Sequence, residues 1–248
     1  MSGARHALAF LQIALIPLLL EIALFVTASA FPPKQLVPGL AALIWGATRS
    51  VSWTLLILPW LRYLLLSQRY SSSLWRPRWD RVHSRCALHV VFGIILPGTA
   101  ISQSLSYVSH QWPALYHTYF QYLFMASTVA NVLVYAGAGL AFCALVVGDG
   151  KGLLRNMAWS WRRSPKATVA MTTVLAPTVW IVYQISNAAG AFLRTVPSAW
   201  ILEIDPAVVP RAAGVILNIG IIAAVWSFAF RRLTGWRGPQ QEILERFD

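Results

Sequence analysis

The chain has 248 residues, of which 57% are hydrophobic and only 11% are charged, with a net charge of +12 and a mean hydropathy of +0.59. A soluble globular domain carries about 25% charged residues, so this composition excludes a soluble enzyme, a disulfide-stapled secreted domain and a disordered chain. Apolar runs of about 20 residues recur along the whole length, which is typical of helices that cross a bilayer. The sequence therefore predicts an integral membrane protein.

Six apolar stretches predict an all-α membrane bundle of six transmembrane helices in a single domain. They cover residues 7–31, 36–60, 87–109, 119–147, 167–192 and 212–230. Connections within successive pairs predict three helical hairpins, at residues 7–60, 87–147 and 167–230. Basic interfacial segments at 61–86 and 148–166 join the hairpins, and residues 231–248 form a predicted cytoplasmic tail.

The first span has features of a cleavable signal peptide. Arg5 precedes an apolar stretch that ends at the small residues Ala28, Ser29 and Ala30. Signal peptides have apolar regions of about 7–15 residues, and this stretch is longer. An uncleaved first helix is therefore the preferred interpretation.

Glu21 and Arg49 are the charged side chains that fall deep within the predicted spans. Glu21 lies 11 residues before the turn at 32–35, and Arg49 lies 14 residues after it. At about 1.5 Å per residue, both lie at similar depth on adjacent antiparallel helices. Because charge in mid-bilayer is costly, it is usually paired or functional. We expect a buried ion pair, preferably a structural staple for the hairpin, and alternatively a gate or a substrate counter-ion.

An internal repeat with a period of about 80 residues is predicted from the proline positions. Pro17, Pro97 and Pro177 fall in register and each lies about ten residues into an odd-numbered span. A proline inside a helix removes a backbone hydrogen bond and bends the helix. We expect three hairpins with a shared kink, although proline is also common in membrane helices.

The basic segments between hairpins mix tryptophan with arginine, which suits the headgroup zone of a membrane. We predict interfacial anchors at Trp75, Trp79, Trp159 and Trp161. The preferred interpretation is that these segments only enforce topology. Specific binding of anionic lipid headgroups or of a protein partner is the alternative.

Uncharged polar residues form a second group in the later spans. Amides this deep in a membrane need partners, which are either one another or water in a cavity. Hydrogen bonding between helices is the preferred interpretation, and a polar vestibule open to the outside is the alternative. The vestibule candidates are Gln103, Ser106, Asn131, Gln184, Ser186, Asn187 and Asn218.

The distribution of basic residues predicts the orientation. With the amino terminus inside, 16 Lys and Arg residues fall on the inner side and 3 on the outer side. The loop-charge rule then places both termini in the cytoplasm, in a bacterial-type inner membrane. Because the charge lies in short connections between apolar runs, nucleic acid is not an expected partner.

Cofactor and catalytic motifs are sparse. His6 and His89 lie near the inner ends of odd-numbered spans, but a b-type haem between them is not expected, because neither is near mid-span. No metal site is predicted, and the sequence lacks a nucleophile elbow, a zinc-protease motif and a P-loop. We expect a non-enzymatic, permease-like protein that passes or holds a small or lipidic substrate. The alternative is a structural or assembly subunit of a larger membrane complex.

Overall fold

The protein is helical along nearly all of the chain that can be described. A computed structural model describes residues 3–30, 38–66, 79–148, 162, 165–195 and 205–236. Within these ranges there is no β-strand, so the predicted all-α fold is confirmed. The helices are α1 (Gly3–Ala30), α2 (Pro38–Leu66), α3 (Arg81–Val90), a π-helical segment (Val91–Ile95), α4 (Leu96–Gln111), α5 (Pro113–Val146), α6 (Pro165–Thr195) and α7 (Val208–Thr234).

Five stretches of helix in the described part of the chain are long and apolar enough to cross a membrane. They are α1, the continuous span from α3 to α4, α5, α6 and α7. Helix α2 has a comparable length of 29 residues and carries Arg49 and Arg62. The chain is therefore a multi-pass helical membrane protein.

Helices α2, α5 and α7 form the centre of the bundle. Helix α7 packs against α1, α2, α5 and α6, and α2 packs against α1, α3, α5 and α7. Leu56, Leu58, Leu61 and Trp226 are buried here, as is every residue of α5 from 136 to 146. Apolar side chains therefore seal this half, which we call the inner half because the predicted topology places it on the cytoplasmic side.

Successive long helices pack as pairs, α1 with α2, α4 with α5, and α6 with α7. The period of about 80 residues stays a prediction, and so do the segment boundaries assigned to the three hairpins. Pro17 lies inside α1 and Pro177 inside α6. Pro59 lies inside α2 as well, so internal prolines are not confined to the odd-numbered spans.

The third span changes its helical geometry just before Pro97. In the π-helical segment Val91–Ile95 the helix turns are wider, and the N–H of Leu96 donates to the carbonyl of Val91. Pro97 has no N–H, so the carbonyl four residues earlier, on Gly93, loses its usual donor. The wide turn lets the backbone pass this point without ending the helix.

Polar contacts tie the helices together at the inner ends. Arg231 of α7 donates a hydrogen bond to the carbonyl of Leu64, and Trp236 Nε1 donates to the carbonyl of Leu65 at 3.4 Å. These carbonyls belong to the last turn of α2, which has no backbone N–H donors of its own for them, and a cation there also suits the helix dipole. Helix α3 begins where Asp80 accepts a hydrogen bond from the His83 N–H at 2.9 Å.

At the other end of the bundle, Asp205 links α6 to α7. Arg194 Nε donates to Asp205 Oδ1 at 2.9 Å, and a second guanidinium nitrogen donates to Oδ2. The Ala207 N–H also donates to Asp205, at 3.0 Å. The Arg194 hydrogen bond, followed by that from Ala207, lowers the pKa of Asp205 to about 2.

This contact predicts an acid-dependent loss of stability. A carboxyl with a lowered pKa stabilises the fold above its ordinary pKa of about 3.8, and the contribution is lost as the pH falls towards about 2. We expect the melting temperature of the wild type in detergent to fall further over this interval than that of Asp205→Asn. The remaining acidic groups are common to both proteins and serve as the control. Equal decreases in the melting temperatures of the two proteins over this pH interval would contradict the prediction.

Candidate functional site

Glu21 and Arg49 meet in the interior of the first helix pair. The Glu21 side chain is 0% exposed, and Arg49 Nε lies 3.7 Å from Glu21 Oε2. This distance is too long for a hydrogen bond. The direct hydrogen bond to Glu21 comes instead from Trp53, whose Nε1 donates to Oε1 at 2.9 Å. Glu21 therefore has one neutral donor and one nearby cation.

Helical spacing explains why these side chains converge. Arg49 and Trp53 are four residues apart and so share one face of α2, and the guanidinium carbon lies 6.0 Å from the centroid of the Trp53 ring. One turn before Glu21, the carbonyl of Pro17 accepts a hydrogen bond from Ser52 at 3.2 Å. This contact and the Glu21–Trp53 bond fix α1 against α2 at two successive turns.

Arg49 lies within electrostatic range of the second helix pair. Its side chain is 40% exposed, and Tyr135 of α5 is close enough to be affected by its charge. A Cβ added to Gly98 of α4 would lie 3.1 Å from Asn131 Oδ1 and 3.5 Å from the Tyr135 hydroxyl. We call the region formed by Glu21, Arg49, Gly98, Asn131 and Tyr135 the Arg49 cleft.

Three buried polar atoms of the Arg49 cleft lack hydrogen-bond partners among the described residues, namely Glu21 Oε2, Arg49 Nε and Asn131 Oδ1. Asn131 Nδ2 donates to the carbonyl of Ser127 at 3.0 Å, but the buried Asn131 Oδ1 receives no donor there. Arg49 Nε is likewise buried without an acceptor within hydrogen-bonding distance. The partly exposed group of the cleft is therefore the Arg49 side chain, whereas the Asn131 oxygen is enclosed by the protein.

The first two helix pairs make few contacts with each other beyond the π-helical segment. Helix α3 and the π-helical segment both pack against α2, whereas α4 packs against α5 and makes no extensive contact with α1 or α2 in the described part of the chain. No residue of α4 is buried.

The predicted vestibule residues are distributed over several surfaces. Gln103 and Ser106 are exposed on α4, and α4 and α6 each pack against α5 with no extensive contact between them among the described residues. Of the candidates, Asn131 lies in the Arg49 cleft, Gln184 is exposed, Asn187 is half-buried, and Asn218 is half-buried with its Oδ1 unpartnered among the described residues.

Ser186 has a packing role in the structure. Its hydroxyl donates to the carbonyl of Val182 at 2.8 Å, and a Cβ added to Gly214 of α7 would overlap it. The absence of a side chain on Gly214 thus lets α6 approach α7 closely. The hydroxyl therefore bonds within its own helix, and its contact with α7 is one of packing.

The remaining candidate residues are the predicted interfacial tryptophans and the two histidines near the inner ends of the spans. Trp79 is exposed and donates to Ser84 at 2.9 Å, while Trp75, Trp159 and Trp161 lie outside the described residues. His6 is exposed and lies 3.0 Å from the Tyr63 hydroxyl. His89 is buried and lies against Phe142, with 5.7 Å between ring centroids. The described ranges hold no group of three His, Cys, Asp or Glu residues that could bind a metal.

No family model matches the chain, and no curated protein or solved structure is significantly similar to it. Three residues around the cleft were not identified from the sequence, namely Trp53, Gly98 and Tyr135. Trp53 and Tyr135 each lie four residues after a polar residue that was identified, Arg49 and Asn131. That spacing is the sequence signal that would have placed them on the same helix faces.

Proposed function

We propose that this protein is a non-enzymatic, permease-like membrane protein that binds a small or lipidic substrate in the Arg49 cleft and passes or holds it. The observation that carries the proposal is the Arg49 side chain, which is charged, lies near mid-helix and is 40% exposed. An intramembrane charge that faces a cavity typically marks a substrate or ion path. Pairing with Glu21 does not by itself explain why an arginine lies at position 49, because the direct hydrogen bond to the Glu21 carboxylate comes from Trp53.

The proposed setting is a bacterial-type inner membrane with both termini in the cytoplasm. Arg62, Arg81, Arg231 and Arg232 lie at one end of the described helices, where they suit the anionic headgroups of the cytoplasmic leaflet. Exposed aromatic side chains lie at the opposite end, around the turn from α4 to α5, where they suit the outer interface. They include Tyr107, Trp112 and Tyr119.

Chemical labelling tests whether the cleft is open to water. Ser102 is exposed one helical turn beyond Gly98, so we expect Ser102→Cys to react with a membrane-impermeant maleimide added from outside. Leu19→Cys is the matched control, because Leu19 is 57% exposed on α1 near Glu21 and faces away from the buried pair. We expect it to react at least about tenfold more slowly, since a thiol in lipid rarely ionises.

The natural cysteines do not complicate this measurement, because Cys86 and Cys143 are both buried. Labelling of both variants after detergent solubilisation shows that each introduced thiol is intact. If Ser102→Cys and Leu19→Cys are equally protected in the membrane, the cleft is closed to water and the permease-like proposal is wrong.

A second candidate is a structural or assembly subunit, and a specific observation favours it. Gln103 of α4 and Gln184 of α6 are exposed on the surface of the bundle, and an exposed amide in a membrane commonly pairs with another helix. Purification in a gentle detergent followed by mass spectrometry tests this candidate. A stoichiometric protein partner that is lost from Gln103→Leu or Gln184→Leu supports the subunit role.

A further inference from the structure

Gln184 is an amide at membrane depth on α6. This helix is long and apolar enough to cross a membrane, and its 31 residues correspond to about 46 Å. Gln184 lies 19 residues after Pro165 and 11 residues before Thr195, which is about 28 Å and about 16 Å from the two helix ends. The hydrocarbon core of a bilayer is about 30 Å thick. A helix of this length that crosses the core therefore holds Gln184 inside the apolar layer.

The direction of the Gln184 side chain follows from the residues that α6 buries. Leu175 is fully buried, and Gln184 comes nine residues later, which rotates an α-helix by about two and a half turns. Gln184 is accordingly exposed, and no described residue exchanges a hydrogen bond with its amide. Because α6 packs against α5 and α7, this amide lies on the side of α6 that faces away from the bundle.

The surface around Gln184 is otherwise apolar. Ile181 and Ile185 are 55% and 63% exposed and flank the amide on the lipid-facing side of α6. Gln103 of α4 differs, because it lies next to the exposed hydroxyl of Ser102. An amide among lipid-facing isoleucines has neither water nor a polar neighbour, and an unpartnered amide is costly in hydrocarbon. The hydrogen-bond partner of Gln184 is therefore expected on another molecule.

We propose that α6 pairs with α6 of a second copy of this chain, with the two Gln184 amides hydrogen-bonded to each other across a twofold axis. All copies insert into the membrane with the same orientation, so a twofold axis along the membrane normal brings every residue to the depth of its counterpart. An amide has both donors and an acceptor, so two identical side chains can exchange two N–H···O bonds. A second copy thus supplies the matching group by symmetry.

The rest of this face permits the helices to approach closely. Thr173 lies 11 residues before Gln184 and Ala191 lies 7 residues after it, and both spacings return an α-helix to within about 20° of the same direction. Both side chains are small and exposed, and small residues let two membrane helices come together. Between Lys166 and Arg194 the sequence has no charged residue, so no like charges would oppose each other across the axis.

This inference goes beyond the permease-like function and does not rest on it. Among the described residues, α6 makes no extensive contact with α1, α2 or α4, the helices that carry Glu21, Arg49 and Gly98. Pairing through α6 would therefore leave the Arg49 cleft of each copy uncovered.

Oxidative cross-linking of the full-length protein, purified alone and reconstituted in phosphatidylcholine vesicles, tests the pairing. Copper phenanthroline should link two copies of Ala191→Cys, whose thiol lies on the face of Gln184. Ile185→Cys is the matched control, because it is exposed at the depth of Gln184 but points about 100° away around the helix. We expect at least about fivefold more cross-linked dimer from Ala191→Cys, since a disulfide needs Cα atoms within about 7 Å. Cys86 and Cys143 are buried, so the wild type should give none.

Substitution of the amide tests its role in the pairing. Gln184→Met keeps an unbranched side chain of similar length and removes both hydrogen bonds, so we expect the dimer dissociation constant to rise about tenfold. Photobleaching steps of labelled protein, counted over a range of protein-to-lipid ratios, measure this constant. Gln103→Met removes the exposed amide of α4 and is the matched control that should leave it unchanged. Gln184→Asn retains an amide and should weaken the dimer less than Gln184→Met.

Three results would overturn the proposal. They are a purified wild-type protein that stays monomeric in the vesicles, equal cross-linking of Ala191→Cys and Ile185→Cys, and a dissociation constant that Gln184→Met leaves unchanged. The labelling of Ser102→Cys decides the permease-like function separately, because neither of its outcomes alters the expected cross-linking through α6.

Discussion

Replacing Arg49 by leucine should destabilise the protein by about 3 kcal/mol, because the fully buried Glu21 then loses its cation. Burial of a carboxylate in an apolar interior is costly unless it is paired and hydrogen-bonded. The Trp53 hydrogen bond at 2.9 Å remains and limits the loss. The melting temperature in maltoside micelles measures the effect.

The double variant Glu21→Leu/Arg49→Leu separates the ion pair from simple packing. It leaves no charge at the site, so we expect it to recover a substantial part of the stability lost by Arg49→Leu alone. Arg232→Leu is the control for removing a helical arginine that is exposed at the end of α7, and it should change the melting temperature little. A double variant as unstable as the sum of its two single variants would show that Glu21 and Arg49 act independently.

Replacing Trp226 by alanine should cost about 4 kcal/mol, the largest effect that we expect from a single apolar side chain. Trp226 is 1% exposed and stacks on Phe142 with 5.1 Å between centroids. Its indole occupies the space that a Cβ on Gly139 would need. Loss of the ring therefore leaves a cavity between α5 and α7 in the sealed inner half.

Gly139→Ala tests the same contact from the other side. The added methyl group overlaps the indole, so we expect a loss of about 1–3 kcal/mol. In a Trp226→Leu background the same substitution should cost clearly less, because the ring is gone. Gly46→Ala is the matched control, since nothing lies within 4 Å of a Cβ there. Similar melting temperatures for Gly46→Ala and Gly139→Ala would contradict the close contact.

The long helices could be predicted from hydropathy because burial in lipid requires continuous apolar segments. The ends of these helices were harder to predict where a side chain caps the helix or where tertiary packing extends it. Helix α2 extends past its predicted end at residue 60 to Leu66, and Leu65 is fully buried despite the nearby Arg62. Helix α3 begins at Arg81, earlier than predicted, because Asp80 caps its first turn.

The candidate site could be predicted only in part. Depth alone placed Glu21 near Arg49, because a short turn joins their helices and fixes their relative height. Depth does not fix the rotation of a helix about its own axis. Gln103 and Gln184 were therefore grouped by depth, although α5 lies between the helices that carry them. The close approach of Gly98 to Asn131 within the second hairpin also depends on a tertiary arrangement that the sequence pattern does not contain.

The π-helical segment also sets how far the faces of α4 are rotated about the helix axis relative to the faces of α3. Each α-helical residue turns the chain by about 100°, so a π turn, which holds one additional residue, offsets the faces of α3 and α4 by that angle. A regular α-helix through Val91–Ile95 would rotate Gly98 away from Asn131. A chain with one residue fewer in this segment could form a regular α-helix and still present the same faces of α3 and α4 to their neighbours. Alignment of this protein with any relative should therefore allow a single-residue gap within this segment.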